Sequence, residues 1–516
     1  MQTPLSLLDW SVIAAYVAGV VGGGVYLSRR KAATLDDYFL GGKEMSSWVV
    51  MFSVIATTQS AATFLGGPDY GYRGDFTYVG SFVGSAMAAA FVARFLVARF
   101  YALNVTTVYE LLGMRYGPLA KRAAGLMYLI GRVFANGARL YMAAVAVSMM
   151  LFFDIAPASV VASVGVIAVI ALGVTLMGGV RSVIWSDLGQ FIVYFGAALV
   201  ALASLFDQLS MSPGDIVSAL AETPEGANKL VLFDFSFDFG APFTFWAIVT
   251  GVFLLNVGNF GLDQDTTQRL LTCRDARAGG RALFLSSIVA VPIVFAFVLI
   301  GQLLYLFYDR SAAGGDALRE FDGEKITVFM SYILVEMPAG ARGLATAGVV
   351  AAAISTMTSG LNAMSSVLVS DFYRPWREAR AEPTASDDYV VAGRIGMAVF
   401  AVLLSAMAVL CFFWQRYTEM ALLEFALSVM AFAYAGLIGV FFTALFTKRG
   451  SAASVVAALV AGFLVILVQQ RYVAESLGLP SALHALAFPW QLVIGVAVAL
   501  AVCCAGSTPS GKGSVR

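Results

Sequence analysis

Residues that could hold a small cation lie in the middle of a run long enough to cross a bilayer: FSVIATTQSAATFLGGPDYGY, Phe52 to Tyr72. Carbonyl and hydroxyl oxygens crowd together from Ala56 to Thr63, and Gly66, Gly67 and Pro68 weaken the helix that would otherwise satisfy its own backbone. A second cluster, GVVAAAISTMTSGLNAMSSVLVSD, carries Ser355, Thr356, Thr358 and Ser359, and on a helix Ser355, Ser359 and, less closely, Ala352 share a face. Such oxygens suit a weakly held monovalent cation, whereas calcium or magnesium would call for several carboxylates. A third stretch, FLLNVGNFGLDQDTTQRLL, interrupts another apolar run with Asn256, Gly258, Asn259, Gly261 and Asp263. In a fourth, LMYLIGRVFANGARLYMAAV, Arg132, Asn136 and Arg139 share one helix face, and Arg132 would lie about 16 Å into its span. A guanidinium at that depth needs a partner or a watered cavity, and its fork matches a carboxylate. Each cluster has a plainer reading. Ser and Thr bond back to their own helix, small polar residues permit close packing, and Arg132 and Arg139 can pair with carbonyls or with acids such as Asp154.

The elements that must position these residues are membrane helices. Of 516 residues, 60% are hydrophobic and 12% charged, too apolar for a soluble globule. The net charge is zero and no basic tract is long enough to hold nucleic acid. Cys273, Cys411, Cys503, Cys504 and the single His484 have no metal-ligand spacing and read as buried thiols and a loop residue. About thirteen apolar windows follow, near 6–28, 46–72, 76–102, 121–153, 157–178, 184–206, 242–270, 280–308, 344–371, 391–415, 420–446, 452–470 and 489–506. The first lacks a cleavage site and is followed by Arg29, Arg30 and Lys31, so it is expected to be retained. Basic residues concentrate in the inner loops if the N-terminus is outside and the C-terminus inside. Segments 207–241 and 309–343 read as outer loops or short surface helices, YRPWREARAEPTASDD as an inner linker, and the tail STPSGKGSVR as too short for a further module.

The two interrupted spans hold corresponding places. They stand five spans apart, an odd number, so the second group of five enters the membrane with the opposite sense. That is the pattern of inverted repeats, whose broken helices leave half-helix ends and unpaired carbonyls near the midplane.

Across nearly the whole chain the motifs resemble the sodium:solute symporter family. DDYFLGGKEMSSW, ATTQSAATF, VTTVYELLGMRYG, IGRV, LMGGVRSVIWSDLGQ, DQDTTQRLL and AAAISTMTSGLNAMSSVLVSDFY fall in family order. The resemblance implies an all-α membrane protein with the five-plus-five inverted repeat of the LeuT type. A helix at 6–28 would precede repeats at 46–206 and 242–446, with two helices at 452–506 after them. It implies a sodium site formed by the carbonyls of Ala56, Gln59 and Ala352 and the hydroxyls of Ser355 and Thr356. Some members hold a second sodium, and Asp187, Ser355, Thr358 and Ser359 match that arrangement; Asp187 could instead be solvated or paired with Arg181. The solute cavity would be lined by Thr58, Ser60, Thr63 and Phe82 on one side and Asn256 and Asn259 on the other. Phe82 replaces a polar group of the sugar transporters, and no lysine stands near Ser286 to Pro292, so a hexose is disfavoured. Thr58 stands where the proline transporters carry an aspartate. At IGRV the chain is similar to the sialic acid transporters, which implies that Arg132 meets a substrate carboxylate.

The expectation is a symporter that imports a small organic solute, an organic acid, with one or two sodium ions by alternating access in a bacterial inner membrane. Each ion adds about 2.3 kcal/mol per 100 mV of membrane potential to its own gradient. A proton-coupled or facilitative carrier of a neutral solute, and a solute sensor, remain open at this point; the oligomeric state is not legible.

Overall fold

Backbone amides and carbonyls find no water in hydrocarbon, so a chain this apolar must satisfy them inside helices. The computed structural model is helical through most of its length. It describes residues 5–28, 35–177, 179–224, 226–309, 320–321, 324–325, 327–380, 386–418 and 422–507. The basic flank at 29–31, residues 310–319 of the second outer segment, 381–385 of the inner linker and the tail from 508 lie outside the described residues.

Eleven helices among the described residues are long and apolar enough to cross a membrane, and a pair bent by 65° makes a twelfth span. The 17-residue apolar helix Ala452–Val468 stands where the remaining expected span falls. In chain order, α1 is Leu7–Ser28, and α2, Ser47–Thr58, and α3, Ala61–Arg73, are the halves of the bent span. Next come α4, Thr77–Ala102, α5, Pro118–Leu151, α6, Pro157–Met177, and α7, Val180–Leu209. The second interrupted span is α8, Phe245–Leu262, followed by α9, Gln264–Leu271. Then follow α10, Ala276–Asp309, α11, Ala341–Glu378, α12, Ser386–Thr418, α13, Leu422–Phe446, α14, Ala452–Val468, and α15, Phe488–Ala505.

Local sequence explains the boundaries. Gly117, at φ +93°, turns the chain before α5, and Pro118 starts the helix where its missing N–H costs nothing. Ser451 and Ser454 cap α14 reciprocally. Between α2 and α3 the helix gives way at two extended residues, Gln59 (φ −82°, ψ 132°) and Ser60 (φ −137°, ψ −179°). The second interruption is narrower than the sequence suggests. Helix persists through Asn256 to Leu262, with π turns at Ile248–Val252 and Gly258–Leu262, and only Asp263 is extended (φ −87°, ψ 119°). Asp263 caps α9 by accepting the Asp265 amide at 3.0 Å. Gly258 is there for packing, since a Cβ on it would come within 2.7 Å of the Tyr434 ring. Further π turns lie at Ala93–Val97 and Leu368–Tyr373, and the latter carries α11 on to Glu378, so the first part of the expected linker is helical.

Three helices form the centre. Almost all of the apolar window of α11 and most of those of α5 and α13 are buried, and α5 packs on both of the others. In contrast α12 turns Ile395, Val402 and Leu410 outward, as a lipid-facing helix does. α3 lies against α10 with backbone touching backbone: a Cβ on Gly301 would sit 2.0 Å from the Pro68 carbonyl oxygen. The two helices would have to part to admit even a methyl group. Gly301→Ala is therefore expected to destabilise the fold by about 1–3 kcal/mol, read as a lower thermal midpoint of the purified protein in detergent.

Candidate functional site

The break after Thr58 removes the amides that would continue the helical ladder. Gln59 N–H still reaches the Ile55 carbonyl at 2.8 Å, and beyond that point the Ala56 carbonyl accepts the Ser355 hydroxyl of α11 at 3.2 Å. The Thr356 hydroxyl is buried with no hydrogen-bond partner among the described residues, and so is the side-chain oxygen of Gln59. Unpartnered buried oxygens are costly unless something absent from the protein chain binds them. The donor set is carbonyl and hydroxyl only, which fits a monovalent hard cation. Ala56, Gln59, Ala352, Ser355 and Thr356 are all buried where α2 meets α11.

The second predicted set is arranged differently. Asp187 does not pair with Arg181, which reaches Glu44 at 3.8 Å on the surface. Instead Asp187 is fully buried and accepts from Ser53 (2.5 Å), Ser355 (2.8 Å) and Arg269 Nη2 (3.0 Å). Arg269 Nη2 also donates to Ser359, and its Nε donates to Ser53 at 2.9 Å. Thr358 donates to the Ser355 carbonyl at 3.1 Å. Arg269 thus holds one carboxylate oxygen of Asp187 and the Ser359 hydroxyl, while among the described residues the other Asp187 oxygen meets only the Ser355 hydroxyl and the Thr358 oxygen keeps its lone pairs.

Beside these groups lies a cavity of about 90 Å³. Thr58, Ser60, Thr63, Phe82, Asn256 and Asn259 line it together, with Ser286, Ser287, Phe260 and Met430 among the other wall residues. The Thr58 hydroxyl donates to the Val54 carbonyl at 2.9 Å and Asn256 donates to the Val252 carbonyl at 3.0 Å, leaving oxygens turned to accept. Ser60 accepts the Ala62 amide at 3.3 Å, fixing the start of α3.

Arg132 is the correction. It does not reach the cavity wall, because its Nη2 lies 3.0 Å from an Asp263 carboxylate oxygen and 2.5 Å from one of Asp265. Both acids are buried, and Arg132 also donates to Asn136 at 3.3 Å. A buried guanidinium with two carboxylates beside it has no reason to seek a third. The arginine in the wall is Arg139, seven residues along the same face. It is buried, and among the described residues its one hydrogen bond is to the Met430 sulfur at 3.2 Å and no carboxylate lies within ion-pair distance of it. A second, water-sized space of about 10 Å³ separates Arg139 from Thr356, with Asn136 and Ala61 beside it.

The motif model of the sodium:solute symporter family matches residues 38–462. The chain belongs to that family. As a sodium:solute symporter it is an integral inner-membrane protein that couples the passage of a small solute to sodium. Among similar proteins, the sodium/sialic acid symporter NanT of Aliivibrio fischeri is 27% identical over 469 residues, covering 89% of this chain and 87% of that one. The sodium-coupled monocarboxylate transporter 2 of Homo sapiens is 26% identical over 368 residues, covering 71% of this chain and 58% of that one. A solved substrate-bound, outward-open Na+-coupled sialic acid symporter superposes with a TM-score of 0.80 at 23% identity, over 97% of both chains. Mhp1, a nucleobase-cation-symport-1 family transporter in a closed conformation, superposes with a TM-score of 0.51 at 15% identity, over 90% of this chain and 92% of that one. These likenesses establish the LeuT-type fold.

Sequence reasoning missed Arg269, Asp265 and Tyr434, whose hydroxyl donates to Asp263 at 2.6 Å. The signal for two of them was present: Asp265 and Arg269 stand four apart in an apolar chain, and an ionisable residue inside the membrane is a functional candidate by default. Removing one partner of a buried ion pair leaves the other stranded. Arg132→Ala is accordingly expected to lower stability by about 3–5 kcal/mol with no solute present, seen as a depressed thermal midpoint in plain sodium buffer.

Proposed function

We propose that the protein is a sodium-coupled importer of a small carboxylic acid, with Arg139 as the group that meets the carboxylate. The observation that carries this reading is a buried guanidinium in the cavity wall with no acid in ion-pair reach among the described residues. Among the described residues Arg139 is the only cation in that wall, and its planar fork suits a carboxylate with two parallel hydrogen bonds. The rest of the wall mixes hydroxyls and amides with Phe82, Phe260 and Met430, so a guest with a short apolar body and one charged end matches it. The sodium-coupled monocarboxylate and sialic acid transporters among its relatives both move carboxylates, which supports the same class.

The sodium ion would be held by the carbonyls of Ala56, Gln59 and Ala352 and the hydroxyls of Ser355 and Thr356. The unpartnered Thr356 hydroxyl and the Ser355 contact to Ala56 support this placement. Sodium there ties α2 to α11 and fixes the start of α3, so Thr58, Ser60 and Thr63 are set for the solute before it arrives. Arg139 and Thr356 line the same small space of about 10 Å³, so the positive ion and the negative solute attract each other through a low-dielectric interior. Closure is then favoured when both are present, which is the linkage a symporter needs.

The test is thermal stability in sodium against choline buffer with short monocarboxylates, then uptake into proteoliposomes. Stabilisation by the acid is expected only with sodium present. Arg139→Gln is expected to raise the apparent KM for the acid by about 10- to 100-fold, the loss of a charge-assisted hydrogen-bond pair, while sodium alone still stabilises the variant. Unchanged KM would sink the Arg139 role, and equal stabilisation in choline would sink the coupling.

A further inference from the structure

Where the inner end of α11 meets the start of α12, the surface opens into a groove of about 1100 Å³ that shares no wall residue with the solute cavity. Leu368, Phe372, Val391, Ile395 and Val399 make it apolar along its length. The last three are exposed, and from Val391 to Val399 they run about 12 Å along α12 into the span. The rim at the helix ends is of another character. Arg122 of α5 stands there with Tyr373, Trp376 and Arg377 of α11, and Arg380 lies over the Trp376 ring at 4.0 Å. Among the described residues Asp388 is the one acid in the wall, and Arg377 stands 3.8 Å from it. Arg122 is exposed and, among the described residues, has no acid within ion-pair distance. Its neighbour Lys121 is committed elsewhere, 3.0 Å from Asp371, which ties α5 to α11 behind the groove.

We propose that this groove binds one anionic phospholipid of the inner leaflet, its phosphate on Arg122 and an acyl chain along Val391, Ile395 and Val399. Each level of the groove matches one level of such a lipid. A guanidinium takes a phosphate through two parallel hydrogen bonds, and basic pockets between helices on the inner side attract anionic headgroups. Tyr and Trp rings settle at headgroup depth, where Tyr373 and Trp376 stand at the end of α11. Acyl chains already surround the outward face of α12, so the lipid enters without displacing protein. A zwitterionic lipid brings its own ammonium to the arginines and gains less. The bound lipid spans α5, α11 and α12 and holds their inner ends together.

The test adds dioleoyl phosphatidylglycerol or dioleoyl phosphatidylcholine to the delipidated full chain in detergent, reading the thermal midpoint and counting retained lipid by native mass spectrometry. Phosphatidylglycerol is expected to raise the midpoint further and to saturate at one retained molecule per chain, while glycerol 3-phosphate, the headgroup alone, has no effect. Arg122→Gln, a change at an exposed position, is expected to weaken phosphatidylglycerol binding by about 5- to 10-fold and to leave phosphatidylcholine unaffected. Ile395→Trp, which fills the apolar trough, is expected to abolish the retained molecule. Arg274→Gln, exposed elsewhere on the inner side, is expected to change nothing. Equal losses in Arg274→Gln and Arg122→Gln would reduce the effect to diffuse attraction and overturn the site. Equal stabilisation by both lipids, or by glycerol 3-phosphate alone, would overturn it too. A dimer in light scattering that Ile395→Trp dissociates would give the groove to a second copy of the chain instead.

Discussion

Arg269 cannot leave its place without stranding Asp187, a fully buried carboxylate with no other cation in ion-pair reach among the described residues, and much of the midsection is built around that fact. Its guanidinium touches α7 through Asp187, α2 through Ser53, α11 through Ser359 and its own α9 through Asp265. Asp265 in turn takes Arg132 of α5, and Asp263 takes both Arg132 and Tyr434 of α13. Six elements meet in one chain of contacts, and removing either arginine leaves an uncompensated carboxylate, Asp187 in one case and Asp263 in the other. Such a network adds little stability over a well-packed apolar core, but it fixes which faces of the helices meet.

Charge balance then links the network to the cavity. Asp187, Asp263 and Asp265 face Arg132 and Arg269 directly, while Arg139 stands apart as the third buried arginine of the region. An anion entering alone would upset this balance in a medium of low dielectric, and so would a cation. Entering together they do not. The cost of burying either guest is lowered by the other, without any requirement for a moving part between them.

The sequence disclosed the helices and the two interruptions because hydropathy and small polar residues report directly on lipid exposure and on backbone continuity. Thr58, Ser60, Thr63, Phe82, Asn256 and Asn259 do share one cavity wall, since all sit beside those interruptions. The two arginines on α5 defeated the same reasoning. Arg132 and Arg139 share a helix face, and helical periodicity cannot tell which meets the acids of α8 and α9, because that depends on how far α5 slides along its neighbours. Likewise Asp187 looked like an ion ligand while its partner, 82 positions away, was invisible to any local pattern. Contacts between distant segments are set by packing, and one sequence alone carries no record of them.

The touching backbones of α3 and α10 have a mechanical consequence. Side chains act as springs between helices, and where Gly301 meets Pro68 there is none, so the two backbones bear on each other as stiff surfaces. The same is true one turn on, where Gly71 meets the Val298 carbonyl. α3 and α10 must then turn as a single lever. Any change of angle between α3 and α2 falls on the two extended residues between them, Gln59 and Ser60, which makes that dipeptide a pivot pin: the rest of the span transmits torque, and only these two residues absorb it.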